Sequence, residues 1–220
     1  MIGLVFKIVT AIFCLIGTIG YGKALFHYLG FHVRMMPEGV VVFALGCILY
    51  IILSLLVFSR RDRFWSILEH ELIHLIFAVI FFKKVHSFNA IRGTGGRVEI
   101  ASNNLVIVMA PYIFPLATVI LLLIKPSVPF YLQWAFNGLL GFTLMFHIIP
   151  LFSEINGDQP DLQSSGMLFA VILILFFNLF FIGLSIASLQ GNWADMWDYV
   201  QLGFLESRSS VEDLFSLFYL

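Results

Sequence analysis

The chain has 220 residues, of which 60% are apolar and only 11% charged, and its mean hydropathy is +1.00. Soluble domains average nearer a quarter charged, so a water-exposed globule is excluded and the long apolar blocks require a bilayer as solvent. Twelve basic residues against thirteen acidic ones leave a net charge of −1, and with no basic run on a polar helix face the chain has no electrostatic footprint for nucleic acid.

At about 20 apolar residues per crossing, the sequence predicts an all-α polytopic membrane protein of about six transmembrane helices: 2–22, 39–59, 64–82, 105–124, 129–149 and 166–189. The first span keeps Lys7 near its end, where the side chain can snorkel to the headgroups. It lacks a clear small-x-small cleavage site, so it reads as a retained span rather than a signal peptide. Cys14 and Cys47 sit inside apolar blocks and read as small packing residues. His27 and His32, between the first two spans, read as interfacial. Arg60, Arg61, Asp62 and Arg63 form a charged turn before the third span, which carries His70-Glu71-Leu72-Ile73-His74 at its centre.

Residues 83–104 alternate in polarity around Gly93-Thr94-Gly95-Gly96, which predicts a β-hairpin over 85–101. Lys125-Pro126 breaks the fourth span from the fifth. An acidic loop, 150–165, follows the fifth, with Glu154, Asp158 and Asp161 as carboxylates and Pro150, Gly157 and Pro160 as helix breakers. The aromatic tail, 190–220, suits either the membrane interface or packing against the spans. Three segments result: two N-terminal helices (1–63), a core (64–189) and the tail.

Residues four apart on an α-helix share a face, so His70 and His74 can direct two imidazole nitrogens at one ion. Glu71 follows the first ligand directly, which places its carboxylate beside the metal as a general base for water. Zinc in a hydrolytic site takes three protein ligands and leaves one position open. Chance is a poor explanation, since a shuffle of this composition yields the motif only about 0.005 times per chain. Ionisable groups in a span cost on the order of 2.5–3.5 kcal/mol each on insertion scales, so Glu69, His70, Glu71 and His74 together call for a partner such as a metal.

With HELIH inside an apolar span, the Gly-rich hairpin GTGGRVEI after it, Ala110-Pro111 in the next span and an acidic loop before a later one, the sequence resembles the site-2 proteases, a family of intramembrane zinc metalloproteases. The likeness is to a compact form, without a PDZ or other soluble domain. It implies a zinc-dependent endopeptidase whose partners are membrane proteins with transmembrane segments, and a third ligand that is an aspartate from a downstream, partly unwound segment. No Leu-Asp-Gly triplet is present, so the resemblance points into Asn156-Gly157-Asp158-Gln159-Pro160-Asp161-Leu162. Asp161 is preferred because Pro160 can open the helix that follows; Asp158 is the runner-up, with a turn residue as its other reading. The loop must then re-enter the protein to reach the histidines.

The resemblance also gives the hairpin a role in pairing with an extended substrate, which makes Gly95, Gly96 and Val98 substrate-binding residues, together with Asn104, whose other reading is a helix cap. His147 is weighed as a ligand or a group behind one, and Glu154 as an assistant or a solvated acid.

Six crossings would put 23–38, 83–104 and 150–165 on one side. Lys and Arg divide six against six between the two sides and fix no orientation; the family likeness places the hairpin on the cytosolic side. Two other functions compete: a catalytically silent relative acting as a membrane-protein chaperone or scaffold, and, last, a metal transporter, which would need polar residues repeated along several spans.

Overall fold

The structure, a computed structural model, describes residues 2–56, 64–91, 95–155 and 159–216. The charged turn at 60–63, the hairpin tip and Asp158 lie outside the described residues. The chain is mostly helical: α1 (Ile2–Met35), α2 (Pro37–Leu56), α3 (Phe64–Ile80), β1 (Val85–Ile91), β2 (Gly95–Ile100), α4 (Leu105–Ile113), α5 (Leu116–Ile124), α6 (Gln133–Ile155), α7 (Pro160–Ser165), α8 (Met167–Ala187) and α9 (Trp193–Ser216). The two strands form one antiparallel hairpin, with Phe88 opposite Val98 and a register irregularity between Val85 and Ser87.

Among the described residues, four helical segments are long and apolar enough to cross a membrane: Gly3–Met35, Pro37–Leu56, Phe130–Ile155 and Met167–Gln190. A fifth crossing results if α4 and α5, bent by 72° at their junction, count as one span. The third predicted span, α3, has 17 residues and falls short of that length. Large side chains point outward along these helices, as in Leu55 and Leu168, which are 78% and 77% exposed; a bilayer is the solvent that such a surface fits.

The direction of packing explains why six crossings do not follow. Lys7 of α1 donates to the Ser165 carbonyl just before α8, Gly17 faces Phe176, and Ala24 clusters with Ala187. α1 and α8 therefore run side by side in one direction, and residues 23–35 lie at the opposite end from the 160–165 turn rather than beside it. At the α8 C-terminus, the fully buried Lys125 donates to the Ser188 carbonyl. What reads in sequence as a plain break between two spans is thus an interior tie between the ends of α5 and α8. Between α2 and α5, α3 packs against both strands and α4.

The α4–α5 break has a local cause. Pro115 cannot extend the helix and pushes the residue before it out of the α region, and Phe114 is extended at φ −123°, ψ 96°. At the other end of α4, the Asn104 side chain caps the helix by accepting from the Ile107 amide at 2.8 Å, which engages its carbonyl oxygen. α2 and α6 touch through glycine, since a Cβ on Gly46 would overlap the Gly138 carbonyl and one on Gly141 the Phe43 carbonyl. Small residues let backbones approach closely where lipid supplies no hydrophobic drive. α9 returns antiparallel to α1, with Tyr21 donating to the Val200 carbonyl and Lys23 to Ser210. The tail is thus packed on a span over most of its length.

Candidate metal centre

The site is built where α3, α4, α6 and α7 meet. α7 opens with Pro160 and ends at Gly166, whose φ of 89° turns the chain into α8. Leu162, fully buried among Met109, Tyr112, Leu151 and Phe169, anchors this turn of helix. Asp161 beside it is thereby held against α3. Its Oδ2 lies 3.2 Å from His74 Nε2 and 4.0 Å from His70 Nε2. One ligand atom from each of His70, His74 and Asp161 falls within 4.8 Å of the others, so these residues form a group that can hold a metal ion.

The donor set fits a zinc-sized ion on two counts. Tetrahedral bonds of about 2.0–2.1 Å separate neighbouring donors by roughly 3.4 Å, and the two observed distances to Asp161 bracket that value. Both imidazoles, moreover, present Nε2 to Asp161 while an oxygen faces Nδ1: the Ile107 carbonyl at 2.9 Å from His74 and Glu154 Oε2 at 3.5 Å from His70. Holding the far ring nitrogen fixes tautomer and ring orientation and raises ligand basicity. The Tyr112 ring adds an edge-on contact to His70, with centroids 5.2 Å apart at 88°. Its buried hydroxyl has no hydrogen-bond partner among the described residues.

Glu71 is half-buried one residue beyond His70, and the Val98 backbone amide donates to its carboxylate. β2 lies directly over it: a Cβ on Gly96 would overlap Glu71 and come within 2.7 Å of Ile67 Cγ2. Glycine is what permits this approach. Gly96 and Val98 are therefore beside the proposed base, while Gly95 pairs with Ile91 at the strand's start.

Two further polar residues of α3 and α6, Glu69 and His147, lie beside this group. Glu69 Oε1 accepts from the Ala117 amide at 3.3 Å, one of the orphan donors in the first turn of α5. A carboxylate at a helix N-terminus also meets the positive end of the helix dipole, so Glu69 secures the broken span. His147 is buried and donates to the Tyr112 carbonyl, and its Nε2 has no partner among the described residues. It shares a cavity of about 20 Å³ with Glu69, His70 and Glu154, roomy enough for one water. It is not a member of the ligand group.

Sequence patterns gave no signal for Ile107 or Tyr112, and marked Glu69 only as one of four ionisable groups in need of a partner, not as a cap for α5. Glu154 stands seven residues before Asp161 in the acidic segment, and the solvated reading of it is replaced by a direct contact with His70 because α6 runs through Pro150 as far as Ile155. Glu154→Gln is expected to weaken metal binding by about 10–100-fold, read by competition with a chelating dye; unchanged affinity would show that the contact does not orient the ligand.

No protein-family model, curated protein or solved structure matches this chain.

Proposed function

We propose that the protein is a zinc-dependent intramembrane endopeptidase of the site-2 protease type, hydrolysing peptide bonds in or near transmembrane segments of other membrane proteins. The observation that carries this reading is the convergence of His70, His74 and Asp161 from two separate elements beside Glu71, within an apolar helical bundle. Two imidazoles and a carboxylate suit zinc and leave room for one exchangeable ligand. A zinc ion held by His70, His74 and Asp161 would supply Lewis acidity of the kind that lowers the pKa of water to about 7.

The chain's own groups do the rest. Glu71 takes the proton from the attacking water and delivers it to the leaving amine, a transfer that contributes about 10²–10⁴-fold in such reactions. Glu154 and the Ile107 carbonyl hold the two imidazoles so that Nε2 faces inward. β2 offers backbone groups beside Glu71, to which an extended substrate can pair as an added strand. Gly96 keeps that strand close to the base.

The test is incubation of the detergent-purified protein with a panel of single-span membrane proteins. Cleavage that stops on chelation and returns with zinc is the expected result. A zinc-loaded protein that binds these clients and cuts none of them would instead identify a chaperone or scaffold.

A further inference from the structure

At the end of α1 remote from the metal centre, a cavity of about 340 Å³ opens between α1 and α9, lined by His27, Tyr28, Phe31, His32, Asp195 and Asp198 among others. Volumes of 300–1,000 Å³ are those of small-molecule sites. His32 is fully buried, and its Nδ1 meets the Tyr28 carbonyl at 2.9 Å. Nδ1 is therefore the donor, and the buried Nε2 has no hydrogen-bond partner among the described residues. Unpaired buried acceptors carry a desolvation cost of about 1–3 kcal/mol, which a ligand N–H would remove.

The two carboxylates differ in their commitments. Asp195 belongs to the cap of α9: its amide donates to Asn192, its Oδ2 accepts from the Asn192 side chain at 2.7 Å, and buried Lys125 is near enough to act on its charge. Asp198, one turn on, has no ion pair or hydrogen bond among the described residues. Tyr28 and Phe31 add aromatic faces, with Tyr28 stacked on His32 at 5.9 Å between centroids. A free carboxylate, aromatic walls and a buried acceptor together describe a receptor for a cation that carries N–H groups.

The depth of the cavity points to the source of that cation. Ala24 packs beside Ala187, the last residue of α8, and residues 27–32 stand roughly 5–12 Å further along α1 at 1.5 Å per residue. Taking the end of the α8 span, Gln190, as the edge of the roughly 30 Å hydrocarbon core, that stretch stands at the depth of the polar headgroups.

We infer that the cavity between α1 and α9 binds a primary ammonium group, with Asp198 as counter-ion and His32 Nε2 as acceptor, and that the headgroup of an ethanolamine phospholipid supplies it. A soluble polyamine shares the chemistry, and the experiment separates the two. The full-length protein, stripped of lipid in detergent, is titrated with phosphatidylethanolamine, phosphatidylcholine and spermidine and followed by native mass spectrometry. Phosphatidylethanolamine should be retained in preference to phosphatidylcholine, whose quaternary nitrogen has no N–H. The preference should fall about five- to tenfold in Asp198→Asn, an exposed position whose replacement leaves the fold intact, and persist in Glu71→Gln. Spermidine binding with the same Asp198 dependence and no lipid preference would keep the ammonium site and change its source. Equal retention of the two lipids without spermidine binding, or a preference that survives in Asp198→Asn, would overturn the inference.

Discussion

Glu71→Gln is expected to abolish proteolysis while leaving the metal in place. The substitution keeps the side chain's size and its position under β2, where the Val98 amide donates to it, but the amide oxygen is too weak a base to accept a proton from water. General-base catalysis is worth about 10²–10⁴-fold, so turnover should drop by at least that range. Because Glu71 is not in the ligand group, zinc content and thermal stability should match the wild type. Residual cleavage within a few-fold of wild type would remove Glu71 from the chemistry and move the search for a base to Glu154, the other carboxylate facing a ligand.

Removing a ligand should give the opposite pattern. Asp161→Ala deletes the carboxylate that faces both Nε2 atoms, at 3.2 and 4.0 Å, while Leu162, which anchors α7 in the core, is untouched. Loss of groups behind the ligands already costs about 10–100-fold in affinity, so loss of a ligand should exceed about 100-fold and take activity with it. Thermal unfolding in the presence of excess chelator should be the same for variant and wild type, which separates metal loss from misfolding. If Asp161→Ala retained stoichiometric zinc and full cleavage, the third ligand would be Asp158 instead.

Much of this was legible in the sequence because each signal was local. Alternation around the glycines foretold β1 and β2 to within a residue of 85–101, and the His-Glu-x-x-His spacing alone sets two histidines on one face of α3. The structure also brings Asp161, the preferred aspartate, to those histidines, through the packing of Leu162 that no local pattern displays. What the sequence hid was long-range. Glu69 looks like an unexplained charge until the 72° break after α4 exposes the α5 amide it caps. Lys125 looks like a turn until it is found buried against Ser188. The count of six spans assumed that each apolar block crosses alone, whereas among the described residues four helices, or five spans with the bent pair, are long and apolar enough, and α3 has 17 residues. α1 runs on for 34 residues, about 51 Å at 1.5 Å per residue, because α9 packs along it well past residue 22, where the apolar pattern suggested that the span ends.

Zinc-edge X-ray absorption of the purified full-length protein tests the central claim most directly. The account predicts about one zinc per chain in a four-coordinate shell of two imidazole nitrogens and two oxygens at about 2.0–2.2 Å, with the imidazole signal lost in His74→Ala. Absence of bound zinc after supplementation, or a shell without imidazole, would contradict it.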